Sequence, residues 1–223
     1  MQTNKALTLV AAISISTVAA HAASSIVYSN ATTYSGFILN PGLSEVGDEI
    51  ILAAGPRYGE TFRFEYYGNN FSGNEQFRLR FYKNDGAFLG NNTYLPNSVF
   101  YDSGVQALAI PTDPSGRNTY QLDITSAFSL LPDDFTWSVQ FSGIDVGETA
   151  GLSIYSPPTV GLSENDYWFN TGSTWELRGT NGVALNFGSS LTASTVPEPS
   201  TYMLAIIGGL CGLTLVNRRA RKS

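Results

Sequence analysis

The chain has 223 residues, 12 Lys+Arg against 18 Asp+Glu, one histidine and one cysteine. Its charged content of 13% is about half the roughly 25% usual in globular proteins, which suits an exported β-protein rich in Gly, Ser, Thr, Asn and Tyr. The acidic balance argues against a nucleic-acid partner, which demands a basic face, and a lone cysteine excludes an intramolecular disulfide.

The N-terminus, "MQTNKALTLVAAISISTVAAHAASS", reads as a secretory signal peptide over residues 1–22. Lys5 supplies a positive start, Ala6 to Ala20 is an uncharged and mostly apolar stretch, and Ala20-His21-Ala22 presents small residues at both cleavage-pocket positions. Cleavage after Ala22 removes His21, the only histidine. That excludes His-based general acid–base chemistry, Ser-His-Asp triads and His-ligated metals from the mature domain.

Short β-rich runs broken by turn residues follow. "DEIILAA" (48–54) precedes "ETFRFEYY" (60–67), where Phe62, Phe64 and Tyr66 alternate with Arg63 and Glu65. "EQFRLRFYK" (75–83) sets Phe77, Leu79 and Phe81 against Arg78, Arg80 and Tyr82. "DFTWSVQF" (134–141) sets Phe135, Trp137, Val139 and Phe141 against Thr136, Ser138 and Gln140. A period of two with aromatic and β-branched residues on one face marks half-buried antiparallel strands. "SVFYDS", "TYQLDI", "GLSIYS", "DYWFN", "TWELR" and "VALNF" extend the series to roughly ten strands. "YGNN", "KNDG", "PTDPSG", "LPDD" and "GTNG" separate them, and Asn84-Asp85-Gly86 predicts a tight hairpin turn. "SAFSLLPDD" (126–134) predicts a helical turn in a connection. The expected fold is all-β, an antiparallel β-sandwich of jelly-roll type over residues 23–188. "SSLTAST" (189–195) reads as a polar linker.

The C-terminal segment 196–223 is of a different kind. No charge occurs from Pro199 to Asn217. A helix of that length spans about 28 Å, close to a hydrocarbon core of ~30 Å, so one transmembrane helix is expected over residues 200–217. Arg218, Arg219, Arg221 and Lys222 form a basic stop over 218–222 and place the domain outside by the positive-inside rule.

The ordered combination of Val196, Pro197, Glu198, Pro199, Ser200 and Thr201, the short span and the Arg-rich end resembles a PEP-CTERM sorting signal. The resemblance implies a Gram-negative bacterium and recognition by an exosortase, an integral-membrane cysteine transpeptidase-like enzyme. It also implies transient inner-membrane anchoring, processing near Pro197-Glu198-Pro199, and release to the envelope surface or the exterior. "GDEIILA", "FRFEYYG", "FTWSVQFSG" and "SIYSPPTVG" are similar to a recurring ectodomain of PEP-CTERM proteins over about Gly47 to Trp168, which implies an architecture and no activity.

Candidate chemistry in the domain is sparse. Glu60, Glu65, Glu75, Asp133, Asp134, Glu164, Asp166 and Glu176 are the carboxylates from which a glycosidase pair would be drawn, and none lies in a motif that sets a spacing. Oxygen-rich turns at Asn84, Asp113, Asp145 and Glu148 offer groups for structural calcium, without an EF-hand pattern. Otherwise no cofactor and no metal are expected. Trp168 and Trp175, in "DYWFNTGSTWELR", are the candidate glycan platforms, with Asp166, Asn170 and Glu176 beside them; the competing reading makes both core residues. Trp137 belongs to the core. The sequons at Asn30, Asn70 and Asn91 carry little weight in a bacterium. The expected role is a non-enzymatic surface or extracellular-matrix component. A carbohydrate-binding module for exopolysaccharide and a glycan-active hydrolase are the alternatives.

Overall fold

The structure is a computed structural model that describes residues 23–91, 93–125, 130–179 and 184–195. Of the described residues 59% are in strands and none is in a helix. One seven-stranded sheet holds β1 (Ser24–Asn30), β2 (Tyr34–Leu39), β4 (Tyr58–Asn69), β9 (Arg117–Asp123), β11 (Thr149–Tyr155), β15 (Asn186–Phe187) and β16 (Ser189–Ser194). The other holds β3 (Glu45–Ile51), β5 (Gln76–Tyr82), β8 (Val99–Ala107), β10 (Asp134–Ser142), β12 (Leu162–Ser163), β13 (Asp166–Asn170) and β14 (Trp175–Gly179). A separate two-stranded ribbon, β6 (Phe88–Gly90) with β7 (Thr93–Tyr94), rises from the β5–β8 connection. All strand pairings are antiparallel.

The alternation along β4, β5 and β10 decides which face turns inward. Phe62, Phe64 and Tyr66 of the first sheet and Phe77, Leu79, Phe81, Phe135, Trp137, Val139 and Phe141 of the second are fully buried. Their rings interlock across the two sheets. Phe62 meets Phe81 at 5.0 Å and Trp137 at 5.1 Å, and Phe64 meets Phe77 at 5.1 Å, all edge-on. Edge-to-face pairs add to the area term, which for a fully buried Phe is about 1.5–3 kcal/mol. The outcome is one aromatic core between two sheets, a sandwich-like all-β arrangement.

The first sheet forks. β11 follows β4 as far as Leu152 opposite Tyr66. There the β15–β16 segment enters between them: the Gly188 N–H donates to Ser153 O (2.9 Å), and the Glu65 N–H donates to Gly188 O (2.8 Å). Gly188 lies so close to its neighbours that a Cβ would sit 2.6 Å from the Tyr155 ring. Only glycine lets the two branches meet around that aromatic side chain.

Two expectations are corrected. Ser189–Ser194 is no linker but β16, paired with β1 on one edge and β4 on the other, so the folded domain runs to Ser194 rather than 188. Leu191 and Ala193 point inward and are fully buried, while Ser190 and Thr192 face outward and gave the segment its polar appearance. Asn84-Asp85-Gly86 is no tight hairpin turn. It opens the long β5–β8 connection, with the Gly86 N–H donating to Leu95 O (2.9 Å) and the Ser98 N–H donating to Asp85 (2.9 Å). Gly86 is needed for close approach, since a Cβ would lie 2.7 Å from Leu95 O. β1 and β2 also join the strands read from the sequence.

The expected signal peptide with Ala20 and Ala22, the motif 196–201, the membrane helix 200–217, the basic stop 218–222 and the start of the 126–134 turn lie outside the described residues. Among the described residues no helix is long and apolar enough to cross a membrane.

Candidate functional site

The outward positions of both sheets carry the polar chemistry. On the second sheet, Glu45 of β3, Ser138 of β10 and Arg80 and Tyr82 of β5 share the outer face. Glu45 is only 5% exposed. Its Oε1 accepts from the Tyr82 hydroxyl (2.9 Å) and the Ser138 hydroxyl (2.6 Å), and its Oε2 accepts from Asn170 Nδ2 (3.2 Å) and pairs with Arg80 (2.8 Å). Arg80 also reaches Asp102 at 3.6 Å, and Asp102 is held by a two-pronged bond from Arg78. The Arg78 bond holds the Asp102 carboxyl below its ordinary range. Burial and the Glu45 charge push the Tyr82 hydroxyl well up. Carboxylate, guanidinium, carboxylate and guanidinium thus form one continuous chain.

The β13–β14 hairpin folds over this face. The Trp175 ring stands edge-on to Tyr82 at 5.3 Å, although β13, β3 and β10 lie between β14 and β5 in the sheet order. Beside the hairpin turn lies a pocket of ≈ 270 Å³ lined by Glu45, Gln140, Asn170 and Gly172. The two tryptophans read from the sequence therefore separate. Trp175 is half-buried at the rim of this face. Trp168, opposite Gly47 in the β13–β3 register, is fully buried and offers no platform, which corrects its expected role as a glycan contact. Asn170 joins Glu45, Glu176 pairs with Arg178 (2.8 Å), and Asp166 is pushed upward by its burial and then by Glu164. Nearby, burial and the charges of Asp134 and Asp166 push Glu49 up to about 7.

On the first sheet, the fork builds a second polar site. Tyr155 is almost wholly buried, and its hydroxyl donates to Glu65 Oε2 (2.6 Å). Arg117 of β9 lies 3.5 Å from Glu65 Oε1, donates to the Tyr155 hydroxyl (3.3 Å) and covers the Tyr34 ring at 4.1 Å. Burial raises the Tyr155 pKa, and the bond to Glu65 adds to it. Next to this group lies a pocket of ≈ 260 Å³ whose wall includes Arg63, Glu65, Thr119, Gly188 and Ser190.

The remaining candidate carboxylates scatter. Glu60 accepts from the Ser24 hydroxyl, Asp133 pairs with Arg57 (2.8 Å), Asp134 accepts from Asn84 (3.1 Å) and buried Glu75 accepts the Ser72 and Gly73 N–H groups. The calcium candidates mostly close their own loops. Asp113 accepts the Ser115 N–H (2.7 Å), and Glu148 accepts the Asp145 N–H (2.8 Å). Among the described residues no group of three or more His, Cys, Asp or Glu is arranged to hold a metal. Asn30 is buried, with its Nδ2 on Tyr155 O and Phe187 O, so its sequon is inaccessible in the folded domain.

Sequence reasoning passed over Glu45 and Asp48. Asp48 sits on the inward phase of β3, between Val46 and Ile50, and is buried where the Ser163 hydroxyl (2.7 Å) and the Phe187 N–H (2.8 Å) donate to it. Burial pushes its carboxyl well above the ordinary range. An acid on the apolar phase of "EVGDEII" was the readable signal.

No protein-family model matches the chain, no curated protein matches it, and no solved structure matches it.

Proposed function

We propose that the chain is an exported, non-enzymatic surface or extracellular-matrix component, built on a jelly-roll β-sandwich and delivered through the exosortase pathway. The observation that carries this reading is that the fold's own donors hold the buried acids, Glu45 to saturation. Glu45 takes four internal donors, and Asp48 and Glu75 take two each. A carboxylate whose lone pairs are filled by its own fold acts as a pin, whereas a general acid or base must reach substrate. The motif Val196 to Thr201, followed by the uncharged run to Asn217 and the basic end, supports the route.

Localisation and intact mass of the full chain in its native host test this reading. The wild-type chain is expected outside the inner membrane and shortened near Pro197-Glu198-Pro199. Glu198→Ala, or deletion of residues 218–222, leaves it full-length and retained. Normal processing of both variants, or release of reducing ends from polysaccharide by the purified chain, overturns the reading.

A carbohydrate-binding module is the second reading. The observation favouring it is the half-buried Trp175 against Tyr82, next to the ≈ 270 Å³ pocket with Asn170 and Gln140. An aromatic edge flanked by amide and carboxylate groups fits the C–H face and hydroxyls of a sugar ring.

A further inference from the structure

Residues 23–195 carry 17 Asp+Glu and only 7 Lys+Arg. Cations are scarce there, and five of them find a carboxylate: Arg57, Arg78, Arg80, Arg117 and Arg178. Lys83 stands on an exposed turn close to Asp85. Arg63 differs. It is exposed, its side chain makes no ion pair or hydrogen bond among the described residues, and it lines the ≈ 260 Å³ pocket at the fork. In a domain with ten surplus acids, an arginine left over is a matter of placement. β4 puts it outward between Gln121 of β9 and Ser190 of β16, neither of them acidic. Glu65, the one carboxylate in the wall among the described residues, is already neutralised by Arg117 and bonded by Tyr155. The pocket therefore presents an uncompensated positive charge ringed by hydroxyls.

We infer that this pocket binds a carboxylate-bearing sugar residue, a uronic-acid unit of a largely neutral glycan. Arg63 clamps the carboxylate, and Thr119 and Ser190 meet the ring hydroxyls. The planar guanidinium fork matches a carboxylate in two parallel hydrogen bonds, and hydroxyl side chains both donate and accept. The pocket is smaller than the roughly 300–1,000 Å³ of enclosed small-molecule sites, as befits one unit of a polymer lying on a sheet. Overall acidity selects against dense polyanions: beyond a screening length of about 8 Å the surplus carboxylates are damped, but a polymer charged at every unit meets many of them at closer range. The inference rests on the glycan-binding reading and adds to it a charged subsite on the first sheet.

Native-gel affinity electrophoresis of the full chain, with polysaccharide cast in the gel, tests it. Glucuronoxylan, with sparse uronates, is expected to retard the chain, and the same polymer after carboxyl reduction is not. Polygalacturonate retards it less. Arg63→Gln weakens retention by glucuronoxylan roughly tenfold or more, the scale of a lost charge-assisted hydrogen bond, and leaves the melting temperature unchanged. Equal retention by the carboxyl-reduced polymer, or unaltered retention of Arg63→Gln, overturns the inference. If retention instead falls only in Trp175→Ala, the subsite is on the second sheet and the glycan-binding reading stands without Arg63. No retention by any of the three polymers overturns both.

Discussion

The two sheets share one aromatic core, yet their outer faces solve the problem of charge in opposite ways. On the second, Glu45, Arg80, Asp102 and Arg78 close on one another beneath the β13–β14 hairpin, and each carboxylate has its cation. On the first, Glu65, Arg117 and Tyr155 close, and Arg63 is left beside them. The difference teaches where to look for function in a domain without a catalytic signature. A saturated network fixes the fold because removing any member strands the others. A group left unsaturated at the surface costs the fold little and remains available to a ligand.

Breaking the closed face has the largest expected effect. Glu45→Ala strands Arg80 and the hydroxyls of Tyr82 and Ser138, and loss of one partner of a buried pair costs about 3–5 kcal/mol. Glu176→Ala, which breaks the exposed Arg178 pair, costs less than about 1 kcal/mol. Urea unfolding of both variants measures the gap, and equal losses would show that the second face is not pinned by Glu45.

Titration sharpens the comparison at intermediate size. Glu49, Asp48 and Asp166, all on or under the second sheet, hold their protons more tightly folded than unfolded. With more protons bound in the native state, stability is greatest below the unfolded carboxylate range and falls as pH rises. For Glu49 the fall lies between 4.5 and about 7. The domain should therefore melt higher at pH 5 than at pH 8, with Glu49 contributing on the order of 2 kcal/mol after allowance for its partial exposure. Glu49→Gln should flatten that slope. The carboxyls of Asp102, Asp113, Asp123 and Glu148, held low by their partners, act in the opposite sense only at more acidic pH.

Much of the frame was legible in the sequence because aromatic residues on a period of two leave one arrangement for β4, β5 and β10. The polar strand β16 was not, since two small or aliphatic inward residues, Leu191 and Ala193, are a faint signal among serines and threonines. Trp168 and Trp175 share a motif, and local pattern does not distinguish a tryptophan opposite Gly47 from one carried over the face to Tyr82. The outward phase of Arg63 and Glu65 could be read directly from "TFRFEYY". That Glu65 has a cation and Arg63 lacks a carboxylate depends on β9, β11 and β16, strands brought in from distant parts of the chain.

The contrast between a closed and an open face is tested most directly by arginine-specific footprinting. The folded full chain is treated with phenylglyoxal and each arginine is followed by peptide mass spectrometry. Arg63 should be modified first, well before Arg117, Arg78 and Arg80, with Arg80 slowest because its side chain is only 14% exposed and lies between Glu45 and Asp102. Modification of Arg80 as fast as Arg63 would contradict the account, since it would mean that neither face distinguishes a held cation from a free one.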